Sequence, residues 1–189
     1  MIMKNSIKSI FRSPPVLYTD RLTLRKLSKS DYCDMFEYSA DKELTRYLTW
    51  EPHPDKNYTY KYLSYLQSRY RAYECFDWAI EYNGKMIGTC GFTALNEYSL
   101  YGEVGYVIAP KYQKMGIAPE AVRKVMEFGF NTLGLNRIEA RFMIENTPSR
   151  KVMEKVGMTF EGILRESMYI KDRYVSVGIC SILRSEYYN

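Results

Sequence analysis

The sequence has very little of what metal centres and disulfide frameworks are built from. Its 189 residues include one histidine, His53, and four cysteines that lie far apart without a C-x-x-C pair. A zinc site is therefore not expected, because such sites need clustered histidine and cysteine ligands. We expect the four cysteines to be buried or half-buried free thiols.

The chain also has no uncharged stretch near the roughly 18 residues that a membrane-spanning helix requires. Lys4, Lys8 and Arg12 stand where a secretory signal would need an uninterrupted apolar region. These absences favour a cytoplasmic protein without a membrane partner. Hydrophobic residues make up 46% and charged residues 26% of the chain, as in ordinary globular proteins, so one compact domain is expected.

The charge balance is mildly basic, +5 from 27 basic and 22 acidic residues. The basic residues are scattered and no nucleic-acid-binding signature is present, which disfavours a nucleic-acid partner and permits an anionic ligand. A basic RNA-binding accessory domain stays open as one alternative. Residues 1–15 end in Ser-Pro-Pro, which favours extended structure. We predict a basic N-terminal arm outside the core over 1–15 and the folded domain over 16–189.

The hydrophobic pattern predicts a mixed α/β order without internal repeats. Residues 21–27 alternate with period two, as in a half-buried strand, and residues 29–40 and 58–73 have helical spacing. Asn83-Gly84 predicts a hairpin between two strands. The remaining predicted elements are strands over 77–82, 85–92, 102–109, 137–144, 158–165 and 174–183, and helices over 118–133 and 149–156.

The segment after strand 102–109 is the most informative about chemistry. Gly116 and Ala118 are small, so the backbone can approach an anion, and the following helix offers unpaired N–H groups and the positive end of its dipole. Lys114 adds a cation, and a diphosphate could bind there. The G-x-x-x-x-G-K-[ST] and G-x-G-x-x-G fingerprints are both absent. From the residues alone, an ordinary helix-initiating turn with one required glycine is an equal alternative.

Residues 113–118, Gln-Lys-Met-Gly-Ile-Ala, resemble the Q/R-x-x-G-x-G/A acyl-CoA motif of the GCN5-related N-acetyltransferase (GNAT) superfamily. Other segments resemble, in the same order, the RimJ/RimL branch, which acetylates ribosomal-protein N-termini. These segments are Thr19-Asp20-Arg21-Leu22-Thr23-Leu24-Arg25, Glu103-Val104-Gly105-Tyr106, Asn146-Thr147-Pro148-Ser149, Glu154-Lys155-Val156-Gly157-Met158 and Glu161-Gly162-Ile163-Leu164-Arg165.

The resemblance implies the α/β (α+β) GNAT fold, a mixed and mostly antiparallel sheet of about seven strands with about four helices. Its fourth and fifth strands, here 102–109 and 137–144, would splay apart and admit acetyl-CoA, the donor, without a metal. Asn146 would contact the cofactor arm. The backbone of Tyr106, Val107 and Ile108 would pair with the pantetheine amides, and the pyrophosphate would bind the amides of Gln113, Lys114, Met115, Gly116, Ile117 and Ala118.

The implied reaction is transfer of the acetyl group to a primary amine by direct attack in a ternary complex. The implied acceptor is a protein N-terminal amine, with a small amine or antibiotic as the alternative. Ser149 would lie near the thioester sulfur, and Glu103 is the candidate that helps remove a proton from the amine. Trp50 and His53, in the loop between the first two helices, are candidates for acceptor binding.

One departure from the family pattern bears on activity. Met153 stands where many superfamily members carry a tyrosine that acts as general acid. Methionine cannot donate that proton, although the RimJ/RimL branch commonly lacks the tyrosine as well. A catalytically silent CoA-binding module is therefore a second alternative, and the sequence is compatible with a homodimer.

Overall fold

The computed structural model describes residues 7–188, and one eight-stranded sheet organises this part of the chain. The strand order across the sheet is β1-β2-β3-β4-β5-β6-β8-β7. The strands are β1 (Leu17–Tyr18), β2 (Leu22–Arg25), β3 (Phe76–Tyr82), β4 (Lys85–Asn96), β5 (Tyr101–Ile108), β6 (Arg137–Met143), β7 (Thr159–Ile170) and β8 (Arg173–Leu183).

Helices cover both faces of the sheet. The α-helices are α1 (Tyr32–Ser39), α2 (Lys42–Thr45), α3 (Lys56–Arg71), α4 (Ile117–Asn131), α5 (Thr147–Lys155) and α6 (Arg184–Tyr187), and short 3-10 helices span Ile7–Arg12, Lys29–Asp31 and Pro110–Tyr112. The predicted α/β fold is confirmed. Two of these helices, α2 and α6, are single turns of four residues, and β1 has only two. Elements this short leave no readable period in a sequence.

The two faces of the sheet pack against different helices. On one face, Ala79 of β3 packs in a cluster with Met35 of α1 and Leu63 of α3. On the other face, Trp78 packs in a larger cluster that includes Val125 of α4. Successive strand residues point to opposite faces, so neighbours 78 and 79 enter different cores. The sheet is thus the middle of three layers.

The predicted splay between two central strands is present. Strands β5 and β6 pair in parallel only where 101–103 face 137–139, whereas every other strand pair is antiparallel. Beyond Glu103, β5 continues to Ile108 without pairing with β6. The backbone groups of β5 that point towards β6 are therefore left without a strand partner over this stretch.

The segment 7–15 packs against the domain. Phe11 is fully buried, with its ring edge-to-face against Trp78 at 5.3 Å, and the Trp78 indole donates a 2.8 Å hydrogen bond to the carbonyl of Pro15. The prediction of an arm outside the core is therefore wrong for this segment, because one large apolar residue buries enough surface to dock it. Residues 1–6 lie outside the described residues. Within the described range, no helix is both long and apolar enough to cross a membrane.

Candidate active site

The turn between β5 and α4 presents backbone N–H groups without protein acceptors. Gly116 is the N-cap residue of α4 in the left-handed conformation, with φ +77°, and no side chain caps the helix. Among the described residues, none accepts a hydrogen bond from the N–H of Lys114, Met115, Gly116, Ile117 or Ala118. Because these groups converge at the positive end of the α4 dipole, the turn fits an anion such as a diphosphate.

Gln113 is the exception among the predicted pyrophosphate ligands. Its N–H donates to the carbonyl of Pro110 at 3.2 Å, and its side-chain Nε2 donates to the carbonyl of Ile108 at 3.0 Å. The prediction that Gln113 offers its amide to the pyrophosphate is therefore wrong. The residue instead closes the 3-10 turn ahead of the site and fixes the end of β5. Because the Gln113 side chain already donates to the Ile108 carbonyl, that carbonyl is occupied by a protein donor.

A side-chain clamp, Thr19, Arg21 and Glu120, holds the turn from outside. Arg21 donates through Nη1 to the carbonyl of Met115 at 3.0 Å and through Nε to Glu120 Oε2 at 2.7 Å. The hydroxyl of Thr19 donates to Glu120 Oε1 at 2.6 Å. The clamp ties the start of β2 to the first turn of α4. Sequence reasoning used Thr19 and Arg21 only as family markers, since nothing local links residues that are 99 positions apart in the chain.

Two cavities meet at the splay. The first, the acceptor cavity, has a volume of about 460 Å³ and lies between the sheet and helices α1 and α3. The second, the donor cavity, has a volume of about 550 Å³ and lies beside the α4 turn and α5. A group bound in one cavity would reach the other along their common wall, which consists of Tyr47, Leu48, Tyr106, Val107, Asn146 and Ser149.

Two hydroxyl groups face each other in this common wall. The Tyr106 hydroxyl donates to the backbone carbonyl of Ser149 at 2.9 Å and lies 2.9 Å from Ser149 Oγ. Burial raises the pKa of Tyr106, so its phenol stays neutral. Asn146 caps α5 by accepting a 3.2 Å hydrogen bond from the N–H of Ser149 through its side-chain oxygen. Sequence reasoning assigned Tyr106 a role for its backbone only and missed its hydroxyl.

Glu103 lines the acceptor cavity at the last paired position of β5 and β6. Its Oε2 lies 3.0 Å from Arg141 Nε, and its Oε1 accepts a 2.7 Å hydrogen bond from the hydroxyl of Thr93. The ion pair and the hydrogen bond fix the orientation of the carboxylate. Met153, in the place of the tyrosine acid, is buried in the core.

Trp50 and His53 both line the acceptor cavity, in the loop between α2 and α3. His53 is buried, and its Nδ1 lies 3.0 Å from Ser39 Oγ and 2.9 Å from Thr59 Oγ1. Burial lowers the pKa of His53, which favours the neutral ring. Its centroid lies 5.4 Å from that of Trp50. The loop therefore forms an aromatic cavity wall held by hydroxyl contacts.

None of the four cysteines lines either cavity. Burial raises the pKa of Cys75 to about 11 and that of Cys90 well above its ordinary value, so both stay protonated thiols. Within residues 7–188, no group of three or more histidine, cysteine, aspartate and glutamate side chains is placed to hold a metal ion.

The splayed sheet, the anion-binding turn at a helix N-terminus and the cavity that adjoins it are the features that the resemblance to the GNAT superfamily implies. A family model described as "Acetyltransferase (GNAT) domain" matches residues 21–159. The uncharacterized N-acetyltransferase p20 of Bacillus licheniformis is 34% identical over 173 residues, which cover 90% of this chain and 97% of the relative. The chain belongs to the GNAT family and is an acetyl-CoA-dependent N-acetyltransferase.

Solved structures agree with this assignment. A GNAT-family acetyltransferase from Bacillus anthracis superposes with a TM-score of 0.81 at 25% identity, covering 90% of this chain and 99% of the other. Spermidine N-acetyltransferase from Vibrio cholerae, solved in complex with CoA and spermine, gives a TM-score of 0.76 at 25% identity, covering 90% and 100%. The predicted family, fold and donor are thereby confirmed.

Proposed function

We propose that this chain acetylates a primary amine by direct attack of the neutral amine on acetyl-CoA within a ternary complex. The observation that carries the proposal is the common wall of the two cavities, located where β5 and β6 separate. Acetyl-CoA supplies an acetyl group that is activated as a thioester. The residues of this chain bind the donor, orient the two reactants and move protons.

Donor binding rests on main-chain groups. In the proposal, the free N–H groups of residues 114–118 hold the pyrophosphate, and the backbone groups of Tyr106, on the edge of β5 that β6 leaves unpaired, take the pantetheine amides like an added strand. The side-chain NH₂ of Asn146 donates to the same arm. Its oxygen is already used to cap α5.

Proton handling rests on one carboxylate, that of Glu103, and one hydroxyl group, that of Ser149. An unperturbed alkylamine has a pKa near about 10.4, so it must lose a proton before it attacks. Glu103, ion-paired with Arg141 and open to the acceptor cavity, receives that proton through water. Ser149 Oγ donates to the departing sulfur, and the N–H of Tyr106, which faces the gap, stabilises the charge that develops on the thioester oxygen, because the N–H of Val107 faces β4.

Direct attack is favoured over transfer through an enzyme thiol. No cysteine lines either cavity, and burial raises the thiol pKa values of Cys75 and Cys90. A thiol kept protonated is a poor nucleophile. A silent CoA-binding module would have no use for the acceptor cavity, which is as large as many small-molecule sites and opens at the same wall.

For the acceptor we propose a primary amine at the end of a flexible chain, as in a protein N-terminus. A polyamine is the second candidate. It is favoured by the similarity to the Vibrio cholerae enzyme solved with spermine, and by the carboxylates of Glu51, Asp77 and Glu103 in the lining of the acceptor cavity.

The test is thiol release from acetyl-CoA with a panel of peptides with free N-termini, polyamines and aminoglycosides, with the products identified by mass spectrometry. We expect amine-dependent release. Glu103→Gln and Ser149→Ala should each lower kcat by about 10²-fold while CoA still binds. Full turnover by both variants across pH would remove their catalytic roles, and CoA binding without release for any amine would support the silent module.

A further inference from the structure

Asp77 is a carboxylate without a protein cation. It lies on β3 and lines the acceptor cavity, partly exposed. No ion pair or side-chain hydrogen bond to another described residue engages its carboxyl group. The arginine in the cavity lining, Arg141, stands three strands away on β6 and is paired with Glu103. An enclosed carboxylate is costly without a partner, so the structure leaves room for one that arrives with a ligand.

Two glycines stand in the same row of paired residues as this carboxylate. Asp77 faces Gly91 on β4, and Gly91 faces Gly105 on β5. Residues directly opposite in antiparallel strands share a face, so the row from Asp77 to Gly105 carries one side chain only. The carboxyl leans over the first glycine, since Asp77 Oδ1 lies 2.6 Å from where a Cβ at position 91 would stand. Asp77 and Gly105 both line the acceptor cavity, and the part of the cavity between them, where the Thr93 methyl group lies over Gly105, is called the trough below.

The trough ends beside the proposed reaction point. Gly105 lies next to Tyr106 and Val107 of the common wall. Two strand spacings separate β3 from β5, so the Cα atoms of Asp77 and Gly105 lie about 10 Å apart. Asp77 is therefore too distant to pair with an amine that attacks at the common wall, but a second cationic group on the same acceptor can reach it.

Two tyrosine side chains share the acceptor cavity with Asp77. Tyr38 of α1 and Tyr62 of α3 line the same cavity, and the charge of Asp77 contributes, after burial, to raising both of their pKa values. Both phenols therefore stay neutral beside the carboxylate. A cavity that holds both a carboxylate and neutral aromatic rings is suited to an ammonium group, since ring faces also attract cations.

We propose that Asp77 is the residue that selects acceptors carrying a second positive charge, by pairing with an ammonium group that is not the one acetylated. The inference rests on the proposed function of the acceptor cavity. It narrows the acceptor to a diamine, a polyamine or a peptide with a basic group near its terminus. Asp77 acts in recognition, so its loss affects acceptor affinity rather than proton transfer.

The test compares hexamethylenediamine with hexylamine, which have the same chain length and differ in the second charge. For the wild-type protein with acetyl-CoA, we expect kcat/KM to favour the diamine by roughly 10- to 100-fold, the usual range for a charge-assisted hydrogen bond. Asp77→Asn should abolish this preference by raising KM for the diamine, with kcat within about threefold. Glu127→Gln, which removes a carboxylate on α4 outside both cavities, should keep the preference.

If no amine is acetylated, the inference is still testable by calorimetry, which measures the affinity of both amines in the presence of CoA. Absence of acetylation for every amine would refute the proposed function, whereas tighter diamine binding that Asp77→Asn removes would still support the inference. Equal binding of the two amines by the wild-type protein would overturn it. So would an Asp77→Asn variant whose kcat falls equally for both amines, since Asp77 would then act on the reacting nitrogen.

Discussion

Replacing Arg21 by alanine should weaken CoA binding while the protein stays folded. The Arg21 side chain is 40% exposed and its partner Glu120 is 19% exposed. Ion pairs this accessible contribute about 0.2 to 1 kcal/mol, and the hydrogen bond to the Met115 carbonyl adds about 1 kcal/mol. The combined loss is about 1 to 2 kcal/mol. Most of this interaction energy stabilises the conformation of the anion-binding turn, because the clamp connects Met115 in that turn with Glu120 in the first turn of α4.

We therefore expect the CoA dissociation constant of Arg21→Ala, measured by calorimetry, to rise about 5- to 20-fold. The melting temperature should fall by less than about 6 °C. Arg69→Ala is the matched control, because Arg69 is 39% exposed, pairs with Glu74 at 3.2 Å and lies outside both cavities. Its CoA affinity should not change. Unchanged CoA affinity in Arg21→Ala, or an equal loss in Arg69→Ala, would refute the reasoning.

Three further predictions concern the turn, the hydroxyl pair and the carboxylate of Asp77. Gly116 and Gly134 both have left-handed backbone conformations, with φ +77° and +68°. Alanine at either position should lower the free energy of unfolding in urea by about 1 kcal/mol, but only Gly116→Ala should weaken CoA binding. Equal effects of the two variants on CoA affinity would contradict the assignment of the turn. Tyr106→Phe and Ser149→Ala should each reduce kcat. The double variant should raise the activation free energy by less than the sum of the two single effects, because the hydroxyl groups lie 2.9 Å apart. Strict additivity would show that the two hydroxyl groups act separately. Burial raises the pKa of Asp77 from 3.8 to about 6, so the folded state binds that proton more tightly and loses stability as the pH rises through this range. Asp77→Asn should therefore raise the free energy of unfolding by up to about 3 kcal/mol at about pH 7 and by little at about pH 4. An equal gain at both pH values would contradict the pKa shift.

Local chemistry made much of the fold predictable. Asn83 and Gly84 have φ of 50° and 74°, the left-handed pair that a two-residue hairpin needs, and the strands on either side pair as expected. The helix after Gly116 begins at Ile117, one residue from its predicted start. In both places a few adjacent residues decide the structure, so the sequence alone is sufficient.

Contacts between distant segments were not predictable in this way. Phe11 lies in a basic stretch whose composition indicates an arm, and only its packing against Trp78 and the neighbouring rings shows why it is buried. The clamp from Arg21 to Glu120 and the row from Asp77 to Gly105 likewise depend on strand register. Register is set by the whole sheet rather than by any local pattern.

The central claim is that free N–H groups at the start of α4 hold the pyrophosphate of CoA beside the gap between β5 and β6. A crystal structure of the protein with CoA tests it most directly. We predict phosphate oxygens at about 3 Å from backbone nitrogens of residues 114–118, with the pantetheine arm along β5 at Tyr106 and Val107. CoA bound elsewhere, with those N–H groups facing solvent, would contradict the account.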